Sequence, residues 1–155
     1  MVIAADKCPR NTIGIDISHI HLPEHDTEAS FMAAFESHMT LKEMAWIRSR
    51  DTQVCRIQSL YIIWSLKESF VKALGQGMTF GLQRIEFIMP DCVLEMQVGH
   101  VETRIACKID SDDQHDWIFE LTFLDSEHVV AITRKNFVQE TNWKFLKPSD
   151  LNLKK

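Results

Sequence analysis

Residues 53–74 read QVCRIQSLYIIWSLKESFVKAL, a run without Gly or Pro that is followed at once by Gly75 and then by Gly77. The run predicts one long helix with a glycine stop, because Gly adopts the left-handed C-terminal conformation without strain. At about 100° per residue, Ile57, Leu60, Tyr61, Trp64 and Val71 share one face, and Glu68 projects from the middle of it. Ile62, Ile63, Leu66, Phe70 and Ala73 line the other side. A helix apolar on both sides is enclosed by protein. A carboxylate enclosed with it needs a cation or becomes neutral.

Working outward, Thr40 followed by Glu43 fits a capping box and predicts a helix over about Leu41 to Arg50, with a further helix over Ala29 to His38. His19 to Thr27, interrupted by Pro23, reads as a surface loop. Val2 to Ala5 and Thr12 to Asp16 suit short buried strands. Beyond the long helix the period changes. Arg84 to Met89, Val93 to Val98, Thr103 to Ile109, Trp117 to Phe123 and His128 to Thr133 read as the strands of a meander. The expected architecture is α+β, helices packed on an antiparallel sheet, with one domain over residues 1–133 and an irregular tail over 134–155.

The 155 residues are 45% hydrophobic, enough for a real core. A formal charge of −5 argues against a generic nucleic-acid surface, which needs clustered Lys and Arg. The longest uncharged stretch of the helical region, Ile57 to Leu66, falls short of a membrane span, and the N-terminus lacks the basic leader and apolar run of a secretory signal. A cytoplasmic protein without a membrane partner is the expectation. Cys8, Cys55, Cys92 and Cys107 stand far apart and read as free thiols.

Two cations are open to Glu68. Lys72, one turn later, offers an i,i+4 pair. The other is a hard divalent ion, which calls for a second carboxylate at the end of a strand, and Asp16 closes the Ile13-Gly14-Ile15-Asp16 run. Gly14-Ile15-Asp16 together with Trp64-Ser65-Leu66-Lys67-Glu68-Ser69-Phe70-Val71-Lys72, continued by Ala73-Leu74-Gly75-Gln76-Gly77, resembles the two signatures of the phosphopantetheinyl transferase superfamily in order and separation. The resemblance runs over roughly residues 2 to 133.

That resemblance implies magnesium held by Asp16, Glu68 and the diphosphate of coenzyme A, with water in the remaining positions. It also implies transfer of phosphopantetheine to a serine of an apo acyl or peptidyl carrier protein. Some family members carry a second acid two positions after the aspartate; Ser18 stands there, so a water is expected as that ligand. Glu68 and Lys72 take the catalytic roles, with Lys72 on a phosphate or the leaving oxygen. Lys67, Glu68, Ser69, Lys72 and Gly75 line the coenzyme A site. Lys67 acts near the nucleotide or is simply solvated, and Gly75 and Gly77 admit the pantetheine arm or simply end the helix. The serine proton goes to Glu68 or to a metal-bound water.

Larger members of the family are pseudo-dimers of two similar halves, and this chain begins about where the second half does. The basic anchors and Ser-His element of the first half are therefore expected to be missing. Two expectations follow: a transferase that completes its site by self-association as a homo-oligomer, or a catalytically silent half that acts at most as a binding module. Elsewhere, His19, His21 and His25 invite a metal reading but lie in a proline-containing loop. Arg48, Arg50 and Arg56 form either a docking face for an acidic carrier helix or a solvated basic face. Trp46, Trp117 and Trp143 read as packing aromatics.

Overall fold

The structure is a computed structural model that describes residues 12–135 and Trp143. The expected strand over Val2 to Ala5, and Cys8, lie outside the described residues. Chain order is β1 (Ile13–His19), α1 (Glu28–Phe35), α2 (Leu41–Arg48), α3 (Gln53–Leu74), β2 (Ile85–Ile88), β3 (Val101–Glu102), β4 (Ala106–Ile109), β5 (Asp112–Asp113), β6 (Trp117–Phe123) and β7 (His128–Lys135). Short 3-10 turns cover Glu36–His38, Gly77–Phe80, Leu82–Arg84 and Asp91–Glu95. The strands form two antiparallel sheets, ordered β1-β7-β6-β3 and β2-β4-β5. The α+β class read from the sequence is the one observed. No helix among the described residues is long and apolar enough to cross a membrane.

The axis of the molecule is α3. The Thr52 hydroxyl caps it by accepting from the Cys55 amide. Gly75, at φ 69°, ends it, with the Gln76 amide returning to the Val71 carbonyl. Both apolar sides are enclosed: Ile57, Leu60, Ile62, Ile63, Leu66, Phe70, Val71 and Ala73 are all buried. Phe70 meets Phe119 of β6 edge-on, at 5.4 Å between ring centroids. Its burial is worth about 1.5–3 kcal/mol by area.

Four expectations are corrected. Strand β1 continues past Asp16 to His19, pairing Ile17 with Val130 and His19 with His128, so Asp16 lies mid-strand and not at a strand end. Val93 to Val98 is not a strand; the Val93 amide bonds to the Pro90 carbonyl in the Asp91–Glu95 turn, which buries Val93 as a plug. The expected strand from Thr103 to Ile109 starts only at Ala106, and the chain before it turns away. The Glu102 carboxylate captures the amides of Thr103 and Arg104, turning the backbone and sending β3 and β4 into different sheets. Finally, Arg134 and Lys135 belong to β7 and not to an irregular tail; Arg134 is buried, bonded to Glu120.

Gly14 determines how close β1 lies to α3. A Cβ there would stand 2.0 Å from the Ser69 carbonyl oxygen and 2.5 Å from the Ala73 amide nitrogen. No side chain fits in that gap, so strand and helix touch backbone to backbone.

Candidate metal and phosphate site

Two residues along a strand advance about 6.7 Å and four along a helix about 6 Å, so alternate residues of β1 stay in step with successive turns of α3. Gly14, Asp16 and Ser18 face the helix. Gly14 abuts Ser69 and Ala73, Ser18 receives the Ser65 hydroxyl at 2.7 Å, and between them Asp16 receives the Lys72 ammonium at 2.6 Å. The second Asp16 oxygen accepts from the Ser18 hydroxyl at 3.0 Å.

Glu68 adjoins this row without joining its hydrogen bonds. Its Oε1 is buried and has no hydrogen-bond partner among the described residues. Burial first, and the neighbouring Asp16 charge second, raise the Glu68 carboxyl above the ordinary carboxylate range; Lys72 and His38 only partly offset this. The i,i+4 pair of Glu68 with Lys72 is thus not the main contact, because the ammonium goes to Asp16. Asp16 and Glu68, whose buried oxygen has no partner among the described residues, offer an all-oxygen pair that a hard divalent cation would satisfy. Among the described residues no cluster of three or more His, Cys, Asp or Glu could hold a metal. A two-carboxylate share suits magnesium, which completes its shell with water and substrate phosphate.

The same residues carry the sequence relationship. The profile of the 4'-phosphopantetheinyl transferase superfamily matches residues 12–133, from the start of β1 nearly to the end of β7. The chain belongs to that superfamily. It is similar to the L-aminoadipate-semialdehyde dehydrogenase-phosphopantetheinyl transferase of Xenopus laevis, 37% identical over 131 residues that cover 84% of this chain and 42% of the relative. The protein of that name from Homo sapiens is 34% identical over 84% of this chain and 41% of its own length. A phosphopantetheinyl transferase of Thraustochytrium sp. is 30% identical over 80% of this chain and 42% of its own length. The chain therefore spans about two-fifths of the curated relatives it matches.

Within the superfamily signature on α3, the structure separates exposed side chains from those committed to the fold. Lys67 is corrected: it is neither solvated nor free to act near a nucleotide. Its side chain is 0% exposed, its ammonium lies 2.7 Å from the Glu43 carboxylate, and it donates to the carbonyls of His38, Leu82 and Ile85 at 3.0, 2.8 and 2.7 Å. Glu43, equally buried, also accepts from the amides of Thr40 and Phe87. Burial pushes the lysine down and the glutamate up, and each charge opposes the shift of the other.

Ser69 is corrected likewise, since its buried hydroxyl is held between the Leu66 carbonyl and the Thr133 hydroxyl, both within 2.8 Å, and fastens α3 to β7. Gly75 ends the helix, and a Cβ there would meet nothing within 4 Å, so its open side faces free space.

Sequence periodicity missed His38. Its ring stands edge-on to Trp64 at 5.7 Å and its charge bears on Glu68, but it comes from a turn far upstream and no spacing connects it to α3. His19 stacks between His21 and His128, at 4.7 and 4.9 Å between ring centroids, rather than converging with them on a metal, and His25 is exposed. The basic face is partly neutralised by its own acids: Arg48 pairs with Glu36 and Arg56 with Glu28, while Arg50 lies over the Trp46 ring. Trp117 packs on Phe70, and Trp143 donates to Glu120 at 2.7 Å. Cys55, Cys92 and Cys107 are free thiols.

Proposed function

We infer that this chain supplies the cation and phosphate face of a phosphopantetheinyl transferase, with coenzyme A as donor and a serine of an apo acyl or peptidyl carrier protein as acceptor. One observation supports the reading: the buried Oε1 of Glu68 on α3 has no hydrogen-bond partner among the described residues, and the charge of Asp16 on β1 bears on that carboxyl. Superfamily membership supports it. Magnesium held by these two residues would neutralise charge on the donor diphosphate.

The reaction joins the serine oxygen to the phosphorus bearing pantetheine, the serine proton passing to Glu68 or to a water, and breaks the bond from that phosphorus to the bridging oxygen, releasing adenosine bisphosphate. Lys72 is suited to the phosphate side, because its side chain is 47% exposed while Asp16 is 11% exposed. The ammonium can turn from Asp16 to a phosphate oxygen or to the leaving oxygen, where a positive charge lowers the barrier most. Asp16 and Glu68, held on rigid elements, keep the oxygen pair in place as it does so.

The test is to incubate the full chain with magnesium, coenzyme A and an apo carrier protein and to weigh the carrier. The expected result is addition of one phosphopantetheine, lost in Asp16→Asn and in Glu68→Gln. A carrier of unchanged mass at every chain concentration overturns the proposal and leaves the silent binding module.

A further inference from the structure

Ser18 occupies the place where a second acid would stand, and its surroundings show that it has another task. Its hydroxyl proton goes to Asp16 Oδ2 at 3.0 Å, and its oxygen receives the hydroxyl proton of Ser65 at 2.7 Å. Ser65 is 0% exposed and Ser18 9%, so neither bond competes freely with solvent. We propose that Ser65 and Ser18 form a two-hydroxyl relay from α3 through β1 that orients the Asp16 carboxylate for a divalent cation. The proposal rests on the cation reading of Asp16 and Glu68 given above.

A serine hydroxyl has one proton and can turn it toward any nearby acceptor. Ser65, by donating to Ser18, occupies the acceptor side of that oxygen and leaves the Ser18 proton directed at Asp16. Hydrogen bonds in such a chain polarise and strengthen one another. The partner on the other Asp16 oxygen behaves differently, since Lys72 reaches it with a half-exposed, flexible side chain.

With a divalent cation held by Asp16 and Glu68, the Lys72 ammonium would be repelled and free to leave. The relay is uncharged and stays. Asp16 would thus keep the oxygen that Ser18 holds anchored, while the oxygen that Lys72 holds became available to the cation. Ser18 is accordingly a positioning residue, committed to Asp16 rather than marking the place of a missing ligand, and Ser65 positions through it. The protein then contributes two negative charges to a doubly charged ion.

The relay is tested by titrating Mn2+ into the purified full chain and reading free Mn2+ by electron paramagnetic resonance. Loss of an outer hydrogen bond to a metal ligand weakens metal binding about 10- to 100-fold, and S18A is expected to show a loss of that order. S65A should weaken binding less, S18T should restore it, and S18A/S65A should bind no more weakly than S18A alone, since Ser65 acts only through Ser18. Wild-type affinity in S18A, or a double variant whose loss is the product of the two single losses, overturns the relay. Should S18A fail to fold by circular dichroism, S65A decides, because it removes one hydroxyl that does not touch Asp16; unchanged affinity there overturns the relay. A wild-type chain that binds no Mn2+ is a different failure, which removes the cation reading and the relay with it.

Discussion

Lys67 and Lys72 lie five residues apart on one helix, and each holds a carboxylate, at 2.7 Å to Glu43 and 2.6 Å to Asp16. Distance does not distinguish them; saturation does. Around Lys67, three carbonyls and a carboxylate meet an ammonium with three protons, and the carboxylate takes two further amides. Nothing is left to offer a ligand, and both side chains are enclosed. Around Lys72 the ammonium is half exposed, and the adjacent Glu68 has a buried oxygen with no partner among the described residues. A closed ion pair joins α2, the Leu82–Arg84 turn and β2 to α3. An open one is available for chemistry.

The sharpest way to break this comparison is to remove each lysine in turn. Lys67→Met leaves the Glu43 charge buried without its counter-ion and should cost about 3–5 kcal/mol in urea unfolding. Lys72→Met should cost about 1 kcal/mol or less, as partly exposed pairs do. Equal losses would mean that the two pairs do the same job. Gly14→Ala comes next. Its Cβ would enter the Ser69 carbonyl, so β1 must move off α3 at about 1–3 kcal/mol, and Mn2+ affinity should fall because Asp16 moves with the strand. A variant with wild-type stability and affinity would show that the close contact sets nothing.

A smaller effect sharpens the contrast between two glutamates, Glu68 with one buried oxygen and Glu102 with a buried side chain. Glu68 has an orphaned oxygen and a raised pKa; Glu102 has the Arg104 guanidinium and two amides, which hold its carboxyl down to about 2. Because that value lies below the ordinary 4.5, the stabilisation from Glu102 is complete above pH 4.5 and is lost as pH falls toward about 2. Glu102→Gln should flatten the acid limb of stability between those values. An unchanged pH profile would rule out the ionised pair as a source of stability.

Much of this was legible in the sequence because it is local. The bounds of α3, its glycine stop and the Thr40–Glu43 capping box follow from short-range periodicity and are all observed. Glu68 stood out because a carboxylate interrupts an apolar stripe. Lys67 carried the same signal, four residues after Ile63 and three before Phe70 on the other apolar flank. That spacing places an ammonium inside the core and asks for a buried acid, but no periodicity says that the acid is Glu43 on another helix. The division of the strands was hidden for a similar reason. It depends on one Glu102 side chain capturing two backbone amides, a choice that β-propensity does not encode. Gly14 read only as one residue of a short buried strand and of the Gly14-Ile15-Asp16 signature, whereas its packing role lies against a helix more than fifty residues later.

The central claim is that Asp16 and Glu68 hold one divalent ion between them. Anomalous diffraction from crystals of the chain soaked in Mn2+ tests this directly. The account predicts a single strong peak bonded to one carboxylate oxygen of each residue, with Lys72 displaced from Asp16. A peak bound by only one of the two, or no peak between β1 and α3 while the Lys72–Asp16 pair stays closed, would contradict it.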